Sequence, residues 1–111
     1  MYGLRVNHIS EVQRIFYQCD KIDKVLIYGS RAKGNFKKGS YIDMTLLGDG
    51  LTLANSIYPV MGMIDDLLLP YLFDISIYSQ ITNPGLLDHI ERVGKVFYDR
   101  SQYQEFSPGT Q

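Results

Sequence analysis

Apolar residues recur along the chain with two different periods, and these periods predict a domain of alternating strands and helices. Short apolar runs bounded by turn residues predict strands at residues 24–28, 41–47, 71–78 and 95–98. Apolar residues spaced three and four apart predict helices at residues 11–19, 52–69 and 85–93. The pattern favours a small α/β (α+β) fold, in which helices pack on a β-sheet.

Capping and breaking residues set the expected ends of the helices. Ser10 is a suitable N-cap for the first helix, because its hydroxyl can accept a hydrogen bond from a free backbone N–H group. Pro59 lies inside the long middle segment and removes a backbone donor there. We therefore expect two helical pieces, with Pro59 near the first turn of the second and Pro70 ending it.

The length and composition fit one domain and exclude some classes of protein. With 111 residues, 45% of them apolar, the chain can bury an ordinary core, and we assign residues 1–100 to a single domain. Residues 101–111 contain Gln, Ser, Pro, Gly and Thr with little to bury, so we expect a disordered tail. No apolar run reaches the roughly 18 residues of a membrane-spanning helix, so no membrane association is expected.

Charge and cysteine content restrict the partners and the compartment. The net charge is −1, so no overall basic field attracts nucleic acid, and we expect no direct nucleic-acid binding. The single cysteine, Cys19, excludes an internal disulfide and fits a reducing cytoplasm, which is the location we expect. Four of the eleven Lys and Arg residues lie within residues 31–38, a patch of the size of a triphosphate.

The junction between the first two strands carries the candidate chemistry. The apolar run 25–28 ends in Gly29-Ser30, and Ser30 can cap a short helix at residues 30–33. Free backbone N–H groups at a helix start form an anion site, which the cluster at 31–38 would reinforce. Asp43 follows on the next strand between apolar neighbours, and a carboxylate facing a phosphate cradle suits a metal–nucleotide site, because Mg²⁺ bridges the two kinds of oxygen.

These residues also form a recognisable signature. Gly29-Ser30, ten intervening residues, then position 41 and Asp43 resemble the motif of the minimal nucleotidyltransferases, the MNT-domain members of the DNA polymerase β-like superfamily. That motif reads Gly-Ser, ten residues, Asp-any-Asp, with a third carboxylate on a later strand, where this chain has Asp74. The resemblance covers residues 2–98 and implies a mixed sheet with the Gly-Ser turn at its active edge.

The resemblance also implies roles for the individual residues. Gly29 and Ser30 would bind the phosphates of ATP, which is the expected substrate. Arg31 and Lys33 would steady the triphosphate or the leaving pyrophosphate. Asp43 and Asp74 would be the catalytic residues and would hold Mg²⁺, with Asp74 as a ligand or as the general base for the attacking hydroxyl.

Position 41 departs from the motif, because the chain has Tyr41 where the family has a metal-ligand Asp. A neutral phenol is a poor ligand for Mg²⁺, and its ring is bulkier than a carboxylate, so we expect impaired or lost activity. Either Tyr41 points away and Asp43 and Asp74 suffice, or the family's Asp was exchanged in a deliberate inactivation, or the change reflects natural drift.

Two functional hypotheses follow from these residues and from the resemblance. The first is an adenylyltransferase that transfers AMP from ATP to a hydroxyl. The resemblance implies that it is the antitoxin of a toxin–antitoxin pair and that the hydroxyl belongs to a tyrosine of a HEPN-domain toxin. The alternative is an inactive nucleotide-binding or protein-interaction module that neutralises its partner by binding. A purely structural domain would leave Ser30, Asp43 and Asp74 unexplained.

Overall fold

A computed structural model describes residues 1–104, and residues 105–111, where most of the expected tail lies, are outside the described residues. The helices are α1 (Val6–Gln18), α2 (Gly29–Lys33), α3 (Tyr58–Asp66) and α4 (Pro84–Val93), with a π-helical segment at Leu53–Ile57 and a 3₁₀ turn at Tyr78–Gln80. The strands are β1 (Lys24–Tyr28), β2 (Ile42–Leu47), β3 (Phe73–Ile77) and β4 (Lys95–Asp99). Across residues 1–104, none of the helices has the length and apolar character needed to span a bilayer.

The four strands form one mixed sheet in the order β3-β2-β1-β4. β1 is antiparallel to both β2 and β4, whereas β2 and β3 are parallel. Parallel neighbours need a crossover connection, and the chain between β2 and β3 supplies one that carries α3. The expected α+β architecture with a mixed sheet is confirmed.

The two faces of the sheet differ in character because side chains alternate along each strand. One face is apolar, and its side chains on β1 and β2, namely Val25, Ile27, Ile42, Met44 and Leu46, all have 0% exposure. These residues share one hydrophobic cluster with Phe16 of α1 and with Val60 and Ile64 of α3. The opposite face carries polar side chains of β2 and β3, and α4 contacts only the β1 part of the sheet strongly.

The first helix begins five residues earlier than the sequence pattern predicts, so the assignment of Ser10 as its N-cap is wrong. Arg5 is the N-cap, and Ser10 lies inside α1, where its hydroxyl donates to the Val6 carbonyl over 3.3 Å. The start of the helix is instead held by a distant side chain. The Tyr71 hydroxyl accepts a hydrogen bond from the Arg5 backbone N–H and lies 2.9 Å from the His8 ring nitrogen Nδ1.

The middle segment forms two pieces, as Pro59 predicts. A π-helical turn leads into α3, and Pro59 lies in the first turn of α3, where its missing N–H group leaves no hydrogen bond unmade. The expected end at Pro70 is wrong, because α3 ends at Asp66. Leu68 adopts a positive φ of 52°, a left-handed conformation that terminates the helix before the proline is reached.

Helix α4 has a well-defined start, which matters because this helix packs beside the polar face of the sheet. The Asn83 side-chain oxygen accepts hydrogen bonds from the backbone N–H groups of Gly85, over 2.8 Å, and Leu86, over 3.1 Å. Pro84 occupies the first turn, and Gly94 follows the last helical residue. The cap therefore satisfies two of the free N–H groups that every helix start exposes.

We predict that Asn83→Ala lowers the free energy of unfolding by about 1 kcal/mol, because two backbone N–H groups of α4 lose their acceptor. Urea unfolding of the two proteins measures this difference. Asn83→Ser is the matched control, since a serine hydroxyl can accept the same hydrogen bonds, and it should retain most of the stability. Equal losses for the alanine and serine variants would contradict the capping role.

Candidate functional site

The structure brings Asp43 and Asp74 together on one face of the sheet. In the parallel ladder between β2 and β3, Asp43 is the direct cross-strand partner of Asp74. Neighbouring strands lie about 4.8 Å apart, and directly paired residues project from the same face of a sheet. Two carboxylates that are far apart in the sequence therefore become immediate neighbours.

Tyr28 extends this polar row on the other side of Asp43. It is the cross-strand partner of Asp43 in the antiparallel ladder between β1 and β2. Burial raises the pKa of the Tyr28 hydroxyl, hydrogen bonding to Ser76 opposes that shift, and Asp43 and Asp74 raise the pKa further. The phenol is thus a neutral group beside the two carboxylates at physiological pH.

Gly29 is in close contact with the Asp43 carboxylate. Its φ is +77°, a conformation that L side chains rarely adopt, and a Cβ atom at this position would overlap Oδ2 of Asp43. The glycine thus allows the chain to turn sharply out of β1 and to bring the start of α2 against the carboxylate. This close approach explains why the motif needs a glycine before Ser30.

The electrostatics of the site centre on Asp43, which is half-buried. Burial raises the pKa of the Asp43 carboxyl, the neighbouring charge of Asp74 raises it further, and His89 lowers it. The two carboxylates therefore repel each other when both are ionised. A cation shared between them would relieve this repulsion.

The donor set can be compared with the needs of a metal ion. Within residues 1–104, no group of three or more His, Cys, Asp or Glu side chains is arranged to hold a metal. The paired carboxylates of Asp43 and Asp74 are protein groups on this face that could contact a metal ion. Mg²⁺ is commonly bound by one or two protein carboxylates together with phosphate oxygens of the substrate, so this pair fits an ion that arrives with a nucleotide.

Arg31 is buried, and its guanidinium is hydrogen-bonded to the main chain. Its side chain is 5% exposed, and three of its N–H groups donate to main-chain carbonyls: two to Ser40, over 3.0 and 3.2 Å, and one to Tyr2, over 2.9 Å. Its guanidinium also stacks on Phe36, 4.7 Å from the ring centroid. Arg31 therefore connects the N-terminal residues with the loop before β2.

The other residues of the predicted cradle lie on α2. Helical structure begins at Gly29 with Tyr28 as the N-cap residue, and no side-chain hydrogen bond caps the helix, so the assignment of Ser30 as a cap is wrong. The helix thus begins two residues earlier than a Ser30 cap would place it, and Gly29 at its start has a positive φ. Ser30 is partly exposed next to Gly29, and Lys33 is exposed at the end of α2.

Tyr41 lies just outside β2 and is 55% exposed. It lines a groove of about 380 Å³ together with residues from the end of α3 and from the segment that leads into β3, including Ile64, Leu68 and Phe73. The strand begins one residue later, where the Ile42 N–H donates to the Leu72 carbonyl over 2.7 Å. The groove is formed by α3, whose apolar residues pack on the sheet face opposite the carboxylates.

The sequence analysis did not single out His89, which the structure brings to the region of Asp43. It lies on α4, with its ring 6.2 Å from the ring of Tyr28 at an interplanar angle of 79°. A signal was present in the helical spacing, because position 89 is three residues after Leu86 and four before Val93. That spacing places the histidine on the packed side of the helix.

Comparison with known proteins agrees with this fold. The family model described as "Polymerase beta, Nucleotidyltransferase" matches residues 10–103. A crystal structure of a toxin–antitoxin with AMP-PNP superimposes with a TM-score of 0.64 at 19% sequence identity, covering 89% of this chain and 77% of the other. None of the curated proteins matches the chain.

Two further crystal structures are similar. A toxin–antitoxin MntA-HpeT mutant gives a TM-score of 0.63 at 18% identity, covering 89% of this chain and 77% of the other. A candidate nucleotidyltransferase from Sulfolobus solfataricus gives a TM-score of 0.56 at 18% identity, covering 86% and 81%. At these identities the similarity concerns the fold.

We predict that Gly29→Ala destabilises the protein more than Gly34→Ala does. Both glycines have a positive φ, +77° and +84°, so each alanine introduces a backbone strain of about 1–2 kcal/mol. Only at position 29 would the new methyl group also overlap Asp43, because position 34 has open space around it. Urea unfolding measures both free energies.

The double variant Gly29→Ala/Asp43→Ala tests the cause of that difference. Without the Asp43 carboxylate, the alanine at position 29 should lower the free energy of unfolding by no more than Gly34→Ala does. If Gly29→Ala and Gly34→Ala cost the same, the carboxylate does not press against Gly29.

We predict that Asp43→Asn raises the melting temperature at neutral pH. The pKa of Asp43 is raised in the folded protein, so its ionisation opposes folding as the pH rises through that pKa. The gain should vanish below the ordinary carboxyl pKa of 3.8, where Asp43 is protonated in both states. Thermal unfolding over a pH series measures this, with Asp49→Asn, an exposed turn residue, as the control.

Proposed function

The chain belongs to the polymerase β nucleotidyltransferase family, and from this premise we propose that it is an adenylyltransferase of a toxin–antitoxin pair with impaired activity. The substrate would be ATP and the acceptor a hydroxyl, namely that of a tyrosine on a HEPN-domain toxin. The observation that carries the proposal is the direct pairing of Asp43 with Asp74 in a chain of this family. The AMP-PNP in one similar toxin–antitoxin structure supports an adenine nucleotide and a toxin partner.

In the proposed reaction the acceptor hydroxyl attacks the α-phosphorus of ATP. A phosphoester bond to AMP forms, and the bond between the α- and β-phosphates breaks to release pyrophosphate. Asp74 is exposed on β3, at one edge of the sheet, so an acceptor can approach it and transfer its proton there. When bound, Mg²⁺ supplies positive charge that neutralises the phosphate oxygens.

In this proposal the start of α2 binds the phosphates of the nucleotide. Gly29 contacts the Asp43 carboxylate, so phosphates that share a cation with Asp43 would lie against Gly29 and Ser30. Lys33 is exposed at the end of the same helix and is available to the outer phosphates or to the pyrophosphate. Arg31 would act indirectly, by fixing the loop that leads into β2.

Tyr41 is the reason for expecting impaired transfer. A two-metal site needs several carboxylates to offset its charge, and the paired strands β2 and β3 offer two, Asp43 and Asp74, within the described part of the chain. Tyr41 contributes no charge there, and it lines the groove beside α3. We expect weak metal binding and slow transfer, rather than a pocket filled by the phenol ring.

A second candidate function is neutralisation of the partner by binding alone. The observation that favours it is the lack of a third metal-binding side chain among residues 1–104. In this alternative the chain retains the fold and contacts with the toxin, and transfers nothing. The two functions differ in whether restoring the carboxylate creates Mg²⁺-dependent transfer.

We predict that Tyr41→Asp increases Mg²⁺-dependent AMP transfer from ATP by orders of magnitude, because it restores the third carboxylate of the motif. The measurement is transfer of labelled AMP to a HEPN-domain toxin, beside calorimetric titration of Mg²⁺-ATP into both proteins. Tyr58→Asp is the matched control, since it makes the same substitution at another exposed tyrosine.

Further variants separate the outcomes. Adding Asp43→Asn to Tyr41→Asp should abolish the restored transfer. Binding of ATP by both proteins, with turnover only after restoration, would support a nucleotidyltransferase site weakened at one ligand. If Tyr41→Asp and Asp43→Asn both leave transfer unchanged, the catalytic assignment of this site is wrong, and the binding function becomes the better account.

A further inference from the structure

His89 reaches the carboxylate face from outside the sheet. It is half-buried on α4, and its ring packs nearly edge-on against Tyr28, the direct cross-strand partner of Asp43. Helix α4 contacts both β1 and α2. Three elements therefore surround Asp43: α2 brings Gly29 against it, β3 brings Asp74, and α4 brings the imidazole of His89.

A phosphate bound beside Asp43 and Asp74 needs hydrogen-bond donors from other residues, because ionised carboxylates repel an anion and donate no hydrogen bond. The guanidinium of Arg31 is committed to the carbonyls of Ser40 and Tyr2. The charge of His89, in contrast, acts on Asp43 and opposes the effect of Asp74. The imidazole, which carries nitrogen donors, therefore lies against Tyr28 and near enough to Asp43 to act on its charge.

We propose that His89 is a nucleotide-binding residue, whose imidazole N–H donates to a phosphate oxygen of an adenine nucleotide held over Asp43 and Asp74. The inference rests on the proposed function and names a residue that orients the nucleotide there. Hydrogen bonds from imidazole to phosphate oxygens are charge-assisted and stronger than those between neutral groups. The perpendicular packing on Tyr28 restricts the ring plane, so the donor is oriented before the nucleotide arrives.

The histidine content of the chain makes a direct test possible. The chain has two histidines, and His8 lies on α1, where its Nδ1 is 2.9 Å from the Tyr71 hydroxyl. NMR spectra of the imidazole groups in the full chain should therefore show His89 with His8 as an internal reference. We predict that Mg²⁺-ATP shifts the resonances of His89 and leaves those of His8 in place.

Two substitutions separate hydrogen bonding from packing. His89→Phe keeps an aromatic ring against Tyr28 and removes the N–H donor, so it should weaken ATP binding about tenfold. His89→Gln retains a donor and should keep most of the affinity. Arg92→Gln, on the exposed side of α4 where Arg92 pairs with Asp88, is the control that should bind ATP normally. Thermal unfolding of each variant confirms that the fold is retained.

The outcomes distinguish this inference from the proposed function. If ATP binds the unmodified chain while the His89 resonances and the affinity of His89→Phe stay unchanged, the inference is overturned and the proposed function stands. If His89→Phe and His89→Gln lose stability and affinity together and no resonance shifts, His89 is a packing residue and the inference is again overturned. If the unmodified chain binds no ATP, the proposed function fails, and the inference fails with it.

Discussion

Like-charge repulsion between Asp43 and Asp74 is the constraint around which the fold is arranged. Side by side, the two ionised carboxylates oppose folding, and the pKa of Asp43 is raised first by its burial and then by the charge of Asp74. The parallel register of β2 and β3 nevertheless fixes them as neighbours. Two adjacent carboxylates can persist in a folded protein when the rest of the structure is stable enough to offset their repulsion. A cation bound between Asp43 and Asp74 would remove that repulsion.

The stability that offsets this repulsion comes from the apolar face of the sheet, opposite the carboxylates. The apolar residues of β1 and β2 alternate with the polar ones, so the same two strands that present Tyr28 and Asp43 on one face bury a continuous hydrophobic layer on the other. A register slip of one residue would expose that layer, and the hydrophobic contacts therefore hold the carboxylates in place. Gly29 and Arg31 then hold α2 in place, Gly29 by allowing close approach to Asp43 and Arg31 by hydrogen bonds to carbonyls.

The strands, the order of elements and the positions of both carboxylates could be predicted from the sequence, because alternation and turn residues are local signals. The break at Pro59 was predictable for the same reason. Some expectations failed for local reasons and others because of distant contacts. Helix α3 ends before Pro70 because Leu68 adopts a positive φ, whereas Ser10 is not the cap of α1 because the Tyr71 hydroxyl holds the start of that helix. The hydrogen bonds of Arg31 to the carbonyls of Tyr2 and Ser40 likewise have no local signal. His89 was missed because only the packing of α4 on β1 brings it to Asp43.

The parallel pairing of β2 with β3 also determines when the carboxylate pair forms. β1 and β2 are joined by a short connection, so their ladder is local in the sequence. β3 pairs only after the crossover carrying α3 has closed, and such non-local pairings form slowly because chain entropy is lost before the contacts are gained. We therefore expect Asp43 to meet Asp74 only after this crossover has closed, and a nascent chain that has not yet emerged beyond β3 has no carboxylate pair with which to hold a nucleotide.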